Sequence, residues 1–237
     1  MSSTRLPGKV MRILGNKTVL AHVIDRAKAI PQVSAVVVAT TTDPESNVIV
    51  TEAKRLGAEI YRGSEHDVLA RYFEAAQLFQ ADVVIRITSD CPLMDPELVG
   101  DMVREYLASQ ETETPIDYLS NGLERTFPRG LDAEVFGFRA LEVANAEAEE
   151  GYQREHVTPF IYENPTRFRL RSYRSPVDLS RHRWTLDTSE DWEFLSAVFN
   201  ALADRASITT QDVLDLLERS PALSWTNAHV QQKRLGG

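Results

Sequence analysis

Cysteine and long apolar runs are both scarce in this chain. It has 1 cysteine, Cys91, in 237 residues, which excludes an internal disulfide and any metal centre built from several thiolates. No run of about 18 apolar residues is present. The N-terminal segment also lacks the apolar core that a signal peptide carries. We therefore expect a protein of the cytoplasm that has no membrane partner.

Positive charge is in deficit as well. The 26 lysines and arginines are outnumbered by 35 aspartates and glutamates, and the formal net charge is −9. A general nucleic-acid binder normally carries a basic face, so no nucleic-acid partner is expected. A small anionic substrate is compatible with this charge if arginines and lysines gather at one site. Because 43% of the residues are hydrophobic, we expect one sizeable core and a single domain over residues 1–237.

Strand-like and helix-like segments alternate through the first half of the chain. Continuous β-branched runs are typical of strands buried on both faces. The alternation predicts an α/β fold in three layers, with a mostly parallel sheet between helices. Ligands of such sheets bind beyond the carboxyl ends of the strands, where Thr40 and Asp90 lie. The predicted segments are strands Ala35–Thr40, Ala58–Tyr61 and Asp82–Thr88, and helices Pro44–Leu56, Asp67–Phe79 and Asp95–Ala108.

Residues 115–165 interrupt this alternation. Two strand-like segments flank a polar loop, and two helix-like segments follow, the second of which contains Pro159. A proline inside a helical pattern should break it. We interpret 115–165 as an insertion that binds an acceptor substrate and contributes to a subunit contact. The chain then returns to the fold with predicted elements at Phe168–Tyr173, Trp184–Leu186, Ser189–Leu202 and Thr210–Glu218.

The segment from Ser2 to Lys9 combines small hydroxyl residues, a glycine and two cations, Arg5 and Lys9. A loop of this composition can offer backbone N–H groups, a guanidinium fork and an ammonium charge to a polyphosphate. An ordinary basic N-terminal arm is the alternative. The phosphate interpretation is favoured by Asp90, which follows an apolar strand within the sequence Thr-Ser-Asp-Cys-Pro-Leu.

Two aspartates come directly after predicted strands. Asp90 there suits Mg²⁺, which keeps several waters and bridges substrate phosphates; the alternative is a turn aspartate satisfied by backbone N–H groups. Helix capping explains Thr188 or Ser189 together with the acids Glu190 and Asp191. Capping does not explain Asp187, which precedes the cap. Asp90 and Asp187 could therefore share one or two metal ions.

The segment from Phe127 to Glu134 offers Arg129 as a carboxylate fork, with Asp132 and Glu134 on one face if the segment is extended. A solvated turn is the alternative. His156 fits a structural histidine better than a catalyst, and a nucleophilic Cys91 with His156 as its base has no support in the sequence.

With these residues in place, the chain resembles the cytidylyltransferases of the nucleotide-diphospho-sugar transferase-like fold. It is most similar to the bacterial spore-coat polysaccharide type, which is related to the enzymes that activate Kdo and acylneuraminate sugars. The resemblance covers nearly the whole chain. Its motifs are residues 3–9, Val38–Thr40, Gly63–Leu69, Thr88–Leu93, Pro128–Asp132, Arg154–Pro159 and Trp184–Thr188.

The resemblance implies a reaction in which a sugar hydroxyl attacks the α-phosphorus of CTP and pyrophosphate leaves. It implies catalytic roles for Arg5, Lys9, Asp90 and Asp187, with Mg²⁺ at the two aspartates. The implied nucleotide-binding residues are Ser3, Thr4, Arg5, Gly8, Lys9, Thr40, Ser64, Asp67 and Arg71. The residues implied to face the sugar are Asn121, Arg129, Asp132, Glu134 and His156. A homodimer is a further family-level expectation.

One departure concerns the first strand. Enzymes of this family begin with an apolar strand that leads into the cationic loop, whereas here Met1 stands where that strand should have ended. The absence of an internal strand would break a ladder and expose two edges. An upstream start and a shortened copy are the two explanations, and we favour the first.

Two other functions are compatible with parts of the sequence. A metal-dependent glycosyltransferase would have a similar fold but usually carries Asp-x-Asp at the strand end, where this chain reads Ser89-Asp90-Cys91. A non-catalytic protein that binds sugar nucleotides is the second alternative. Magnesium-dependent pyrophosphate release from CTP separates both from a cytidylyltransferase.

Overall fold

The computed structural model describes residues 5–232; Ser3 and Thr4, two of the predicted nucleotide ligands, lie outside them. Short 3₁₀ turns occur at Lys9–Met11, Pro44–Ser46 and Pro221–Trp225. The strands are β1 (Ile13–Leu14), β2 (Lys17–Thr18), β3 (Val37–Thr41), β4 (Glu59–Gly63), β5 (Val83–Arg86), β6 (Tyr118–Ser120), β7 (Glu134–Gly137) and β8 (Leu170–Ser172). The helices are α1 (Val19–Lys28), α2 (Asn47–Arg55), α3 (Val68–Leu78), α4 (Pro96–Gln110), α5 (Phe138–Glu147), α6 (Gly151–His156), α7 (Pro159–Tyr162), α8 (Ser189–Ala201) and α9 (Thr210–Arg219).

The sheet is mixed rather than mostly parallel. β3 pairs with β4 in parallel, and a second ladder has the order β5-β7-β6-β8. In this ladder β7 runs antiparallel to both β5 and β6, and β6 runs parallel to β8. Both inner strands of the second ladder, β6 and β7, come from segment 115–165. Segment 115–165 therefore supplies the two central strands of the second ladder.

Helices cover both faces of the second ladder, as the three-layer prediction requires. On one face Val83, Leu119 and Val135 pack with residues of α4. On the other face Tyr118 and Phe136 pack with residues of α3 and α5. Successive residues of a strand point to opposite faces, so burial on both faces explains the continuous apolar runs of β5, β6 and β7.

The two ladders are separated by a cavity. Residues of β3 and β5 line it from near their carboxyl ends, at Thr40 and Thr88, back to their amino ends. Residues of α1, α2, α3 and α4 close it. Its volume is about 680 Å³. Within residues 5–232, β3 has no partner on the side away from β4, and β5 has none on the side away from β7. The expected break in the ladder thus lies between β3 and β5.

The segment predicted as the strand Trp184–Leu186 is extended but is not part of a strand ladder among the described residues. A single parallel bridge joins Arg129 and Arg183, and the N–H of Leu186 donates to the carbonyl of Asp90 at 2.9 Å. The predicted helix through Pro159 is broken into α6 and α7, with Val157 between them at φ 75°. Among the described residues no helix has the length and apolar character that a membrane span needs.

Candidate active site

The ammonium group of Lys9 lies between the two strand-end aspartates. Its Nζ donates to Asp90 Oδ2 at 2.8 Å, to Asp187 Oδ1 at 2.9 Å and to the carbonyl of Leu186 at 2.7 Å. Lys9 opens a 3₁₀ turn directly after Gly8, which has φ 66°. Because this left-handed conformation suits glycine, Gly8 shapes the turn that aims Lys9 at the aspartates. The structure thus brings Asp90 and Asp187 together at one ammonium group; that they share a metal ion stays a prediction.

Asp90 is held in place from two directions. The Thr88 hydroxyl donates to Asp90 Oδ1 at 2.6 Å, and the backbone of Leu186 donates to the Asp90 carbonyl. One carboxylate oxygen therefore has a fixed partner in its own turn, while the other oxygen faces Lys9. This arrangement leaves the second oxygen as the one that could meet a ligand.

Asp187 is held by two guanidinium groups on its other oxygen. Arg183 Nη2 lies 3.0 Å and Arg5 Nη2 lies 3.4 Å from Asp187 Oδ2. Burial by itself would raise the pKa of Asp187, but the hydrogen bonds and charges of Lys9 and Arg183 outweigh it and lower the pKa. The pKa of Lys9 is raised: burial would lower it, and Asp90 and Asp187 more than offset that effect. Asp187 is therefore ionised in the folded protein at neutral pH.

Arg183 and Asp191 form a buried pair behind Asp187 that the sequence reasoning missed. Arg183 donates from Nε and Nη2 to the two oxygens of Asp191, both at 2.8 Å. Asp191 is 0% exposed and also accepts from the backbone N–H groups of Asp187 and Thr188. The capping box of α8 was the visible signal for Asp191. Its second role is to fix the backbone of Asp187 directly and to hold Arg183 beside the Asp187 side chain, and this role has no local signature.

The turn that carries Arg129 and Asp132 packs against residues 182–185, just before Asp187. Gly130 has φ 106°, and a Cβ there would lie 2.5 Å from the carbonyl carbon of Trp184. The N–H of Gly130 donates to Asp132 Oδ2 at 2.8 Å, and Arg125 pairs with Asp132 Oδ1 at 2.5 Å. Burial, followed by the charge of Arg125, lowers the pKa of Arg129. Backbone contacts to residues 182–184 thus place Arg129 next to the segment that carries Asp187.

The side chains of Glu134 and Asn121 are hydrogen-bonded to other residues of the chain. Glu134 accepts from Arg86 at 2.8 Å, from Thr158 at 3.0 Å and from Tyr118 at 3.1 Å. The Asn121 amide bonds to the backbone of residues 131 and 133 at 2.7 and 2.9 Å, and the residue is 1% exposed. Asn121 therefore holds the 121–133 loop closed, and the structure does not present its amide to a sugar. His156 ends α6, two residues before Thr158.

Four of the residues implied to bind the nucleotide, Thr40, Ser64, Asp67 and Arg71, lie in or near β3 and α3. Thr40 is buried in β3 opposite Arg62 of β4. Arg71 donates from Nη1 to the Ser64 carbonyl at 2.5 Å, while its buried Nε has no partner within the described residues. Asp67 caps α3 through Ala70 and pairs with Arg154 of α6 at 2.6 Å. The structure thus gives Asp67 an internal partner in α6, and its contact with a nucleotide stays a prediction.

Cys91 is excluded as a nucleophile, as the sequence indicated. It is 2% exposed, and burial, with the charge of Asp90 as the second cause, raises the pKa of its thiol well above the usual value. A thiol of this kind stays protonated and unreactive.

A cationic turn and two carboxylates beyond the sheet edge define the site of a nucleotide-handling α/β transferase. A family model described as cytidylyltransferase matches residues 1–217. The chain belongs to the cytidylyltransferase family, which confirms the resemblance found in the sequence.

Two relatives and one solved structure are similar to this chain over nearly its whole length. An uncharacterized protein of Methanocaldococcus jannaschii is 38% identical over 233 residues, which span 98% of this chain and 92% of that protein. The spore coat polysaccharide biosynthesis protein SpsF of Bacillus subtilis is 30% identical over 93% of this chain and 92% of its own length. The structure of a cytidylyltransferase from Leptospira borgpetersenii superposes with a TM-score of 0.88 at 33% identity, over 99% of this chain and 95% of that one. The α/β nucleotidyltransferase fold is thereby confirmed.

Proposed function

We propose that this protein transfers CMP from CTP to a hydroxyl of a sugar, with release of pyrophosphate, in the synthesis of a surface polysaccharide. The observation that carries this proposal is the convergence of Lys9, Asp90 and Asp187 at one point beyond β5. The membership of the cytidylyltransferase family supports the transferred group, and the name of the SpsF relative supports a polysaccharide as the destination.

The oxygen atoms around Lys9 fit Mg²⁺. Two carboxylates and one carbonyl converge on a single cationic atom at 2.7–2.9 Å, and hard oxygen ligands are those that Mg²⁺ takes. No larger cluster of His, Cys, Asp and Glu occurs in residues 5–232. A site of this size is sufficient because Mg²⁺ at nucleotide sites binds through one or two carboxylates and the substrate phosphates. Asp90 and Asp187 would hold the ion.

The transfer needs positioning and charge neutralisation more than covalent chemistry. The sugar oxygen forms a bond to the α-phosphorus and its hydroxyl proton passes to water, while the bond from that phosphorus to the bridging oxygen breaks and pyrophosphate leaves with the electron pair. Arg5 and Lys9 stabilise the negative charge that moves onto pyrophosphate. Mg²⁺, when bound, supplies further positive charge to the phosphate oxygens. Arg129 would orient a carboxylate of an acidic sugar through its guanidinium fork.

Pyrophosphate release tests this function. The protein is incubated with CTP, Mg²⁺ and a panel of acidic sugars, beside Asp90→Asn and, as the matched control, Asp215→Asn on the exposed side of α9. We expect Asp90→Asn to lower the rate by about 10²–10³, the usual loss when one electrostatic contributor is removed, and Asp215→Asn to leave it unchanged. Equal rates in all three proteins would contradict the proposal, and cleavage of a preformed nucleotide sugar would point to a glycosyltransferase.

Two finer expectations accompany this proposal. Magnesium dependence is tested in the same assay by chelation and replacement of the ion. The homodimer implied by the resemblance is tested by sedimentation of the protein with and without CTP.

A further inference from the structure

All three donors of the Lys9 ammonium group are used in the site. A lysine ammonium has three N–H donors, and each has one acceptor: Asp90, Asp187 and the carbonyl of Leu186. The side chain is only 14% exposed. Lys9 is therefore not a mobile surface cation but a fixed part of the site, seated on the same oxygen atoms that would hold a metal ion.

Lys9 and a divalent ion cannot use these oxygens together. Mg²⁺ binds oxygen at about 2.0–2.1 Å, so an ion shared by Asp90 Oδ2 and Asp187 Oδ1 would have to lie where Nζ now lies. Charges of the same sign this close repel strongly, most of all in a partly buried site. Binding of the ion thus requires Lys9 to leave the two carboxylates.

The cations that pair directly with the carboxylates of the site are already matched. The cations Arg5, Lys9 and Arg183 are matched by three carboxylates, at 3.4 Å for Arg5–Asp187, 2.8 Å for Lys9–Asp90 and 2.8 Å for Arg183–Asp191. A divalent ion that entered alone would add two uncompensated positive charges. The phosphates of a nucleotide would compensate them and would also give the ammonium of Lys9 a new partner.

We propose that Lys9 keeps the metal site closed in the nucleotide-free protein, so that divalent metal binds at Asp90 and Asp187 only when a nucleotide draws Lys9 away. This inference rests on the proposed function in taking a nucleotide and a divalent metal as ligands. It makes nucleotide and metal binding mutually dependent, and by linkage each must raise the affinity for the other by the same factor.

The test measures binding of Mn²⁺ by electron paramagnetic resonance in the absence of nucleotide. The proteins are the wild type, Lys9→Met and, as the matched control, Lys17→Met, which removes the same charge from an exposed pair with Asp25 at 2.6 Å. We expect Lys9→Met to bind Mn²⁺ about tenfold more tightly than the wild type, within the usual range of coupling between sites. Lys17→Met should bind as the wild type does, and adding Asp187→Asn to Lys9→Met should remove the gain.

Unchanged or weaker Mn²⁺ binding by Lys9→Met, with its circular dichroism intact, would overturn the inference. Lys9→Gln provides a second variant if Lys9→Met does not fold, because its amide keeps two N–H donors for the carboxylates and carries no charge. An equal gain in Lys17→Met would also overturn it, since the effect would then come from net charge and not from the position of Lys9.

The pyrophosphate assay separates this inference from the proposed function. Suppose that Lys9→Met binds Mn²⁺ more tightly and that the wild type releases no pyrophosphate with any sugar. This result would support the metal gate and count against the transferase. Pyrophosphate release by the wild type together with unchanged Mn²⁺ binding by Lys9→Met would support the transferase and overturn the gate.

Discussion

Gly130 shows how one residue without a side chain assembles the site. Its backbone, at φ 106°, lies against the peptide between Trp184 and Thr185, and the N–H of Trp184 donates to the carbonyl of Arg129 at 2.6 Å. This close approach brings the turn that carries Arg129 next to the segment that carries Asp187. A side chain at position 130 would push the two apart.

We predict that Gly130→Ala lowers the free energy of unfolding by about 2 kcal/mol or more, because the variant combines a strained φ with a backbone clash. Urea denaturation measures the change. Gly151→Ala is the matched control: a Cβ there has nothing within 4 Å and the residue has no positive φ, so the free energy of unfolding should change by less than about 0.5 kcal/mol. Similar losses in both variants would show that the close approach at Gly130 is unimportant.

Asp191 shows which contacts of a residue can be predicted from the sequence and which cannot. Its place in the first turn of α8 is explained by capping, and that interpretation is confirmed. Its pairing with Arg183 depends on a fold in which the 183–187 segment turns back over the helix. Asp187 was singled out because capping left it unexplained, and the structure places it opposite Lys9.

At the scale of elements, an ion pair joins α3 to α6. Arg154 donates from Nε and Nη2 to Asp67, with the shortest distance 2.6 Å, and its Nη1 holds the carbonyl of Asn145 at 2.7 Å. Burial would raise the pKa of Asp67, but the hydrogen bond from Arg154 and the cap to Ala70 outweigh it and lower the pKa. The pair therefore stabilises the folded protein wherever Asp67 is ionised.

The pH dependence of this contribution follows from the direction of the shift. A carboxylate with a lowered pKa in the folded state adds stability above its unfolded pKa, near 3.8 for Asp67, and loses it as the pH falls through the folded value. We predict that Asp67→Asn is less stable than the wild type between pH 5 and pH 8, taken as about the range of maximal stability. The difference should shrink as the pH drops below that unfolded value.

Urea denaturation at a series of pH values measures this difference. Arg154→Met and the double variant complete a cycle, and the two single effects should not add if the ion pair is the cause. A difference between wild type and Asp67→Asn that stays constant down to low pH would contradict the prediction.

At the scale of the whole molecule, the cavity between β3 and β5 is the main departure from a continuous sheet. Apolar side chains of four helices and two strands surround it, and the facing edges of both strands have unpaired backbone groups within residues 5–232. Such edges are sites for pairing with another strand. Arg5 lies 3.4 Å from Asp187, so the chain reaches the site at the end of the cavity formed by Thr40, Thr88 and Ser89.

We predict that an apolar extension of about six residues, the usual strand length, rich in Val and Ile and placed ahead of Met1, raises the thermal unfolding midpoint. Each buried Val or Ile side chain contributes about 1.5–3 kcal/mol, and each kcal/mol raises the midpoint by about 2–4 °C in a protein of this size. Calorimetry measures the shift.

The control extension has the same length and consists of Ser and Gly. It should leave the midpoint unchanged, and amide hydrogen exchange should slow in β3 and β5 only with the apolar extension. Equal midpoints for the two extensions would show that the cavity does not accept a strand.

Local elements and the type of chemistry can be predicted from the order of the amino acids alone. Continuous β-branched runs predicted β3 and β5 to within a few residues, and Pro159 predicted the break between α6 and α7, because strand and helix propensities act over short stretches of chain. The tertiary structure decided the direction of β7 and the internal use of Asp67, Asn121 and Glu134. It also decided the meeting of Lys9 with Asp90 and Asp187, which are 81 and 178 residues away in sequence. Contacts over such separations are set by how elements pack together, and no local pattern encodes that packing.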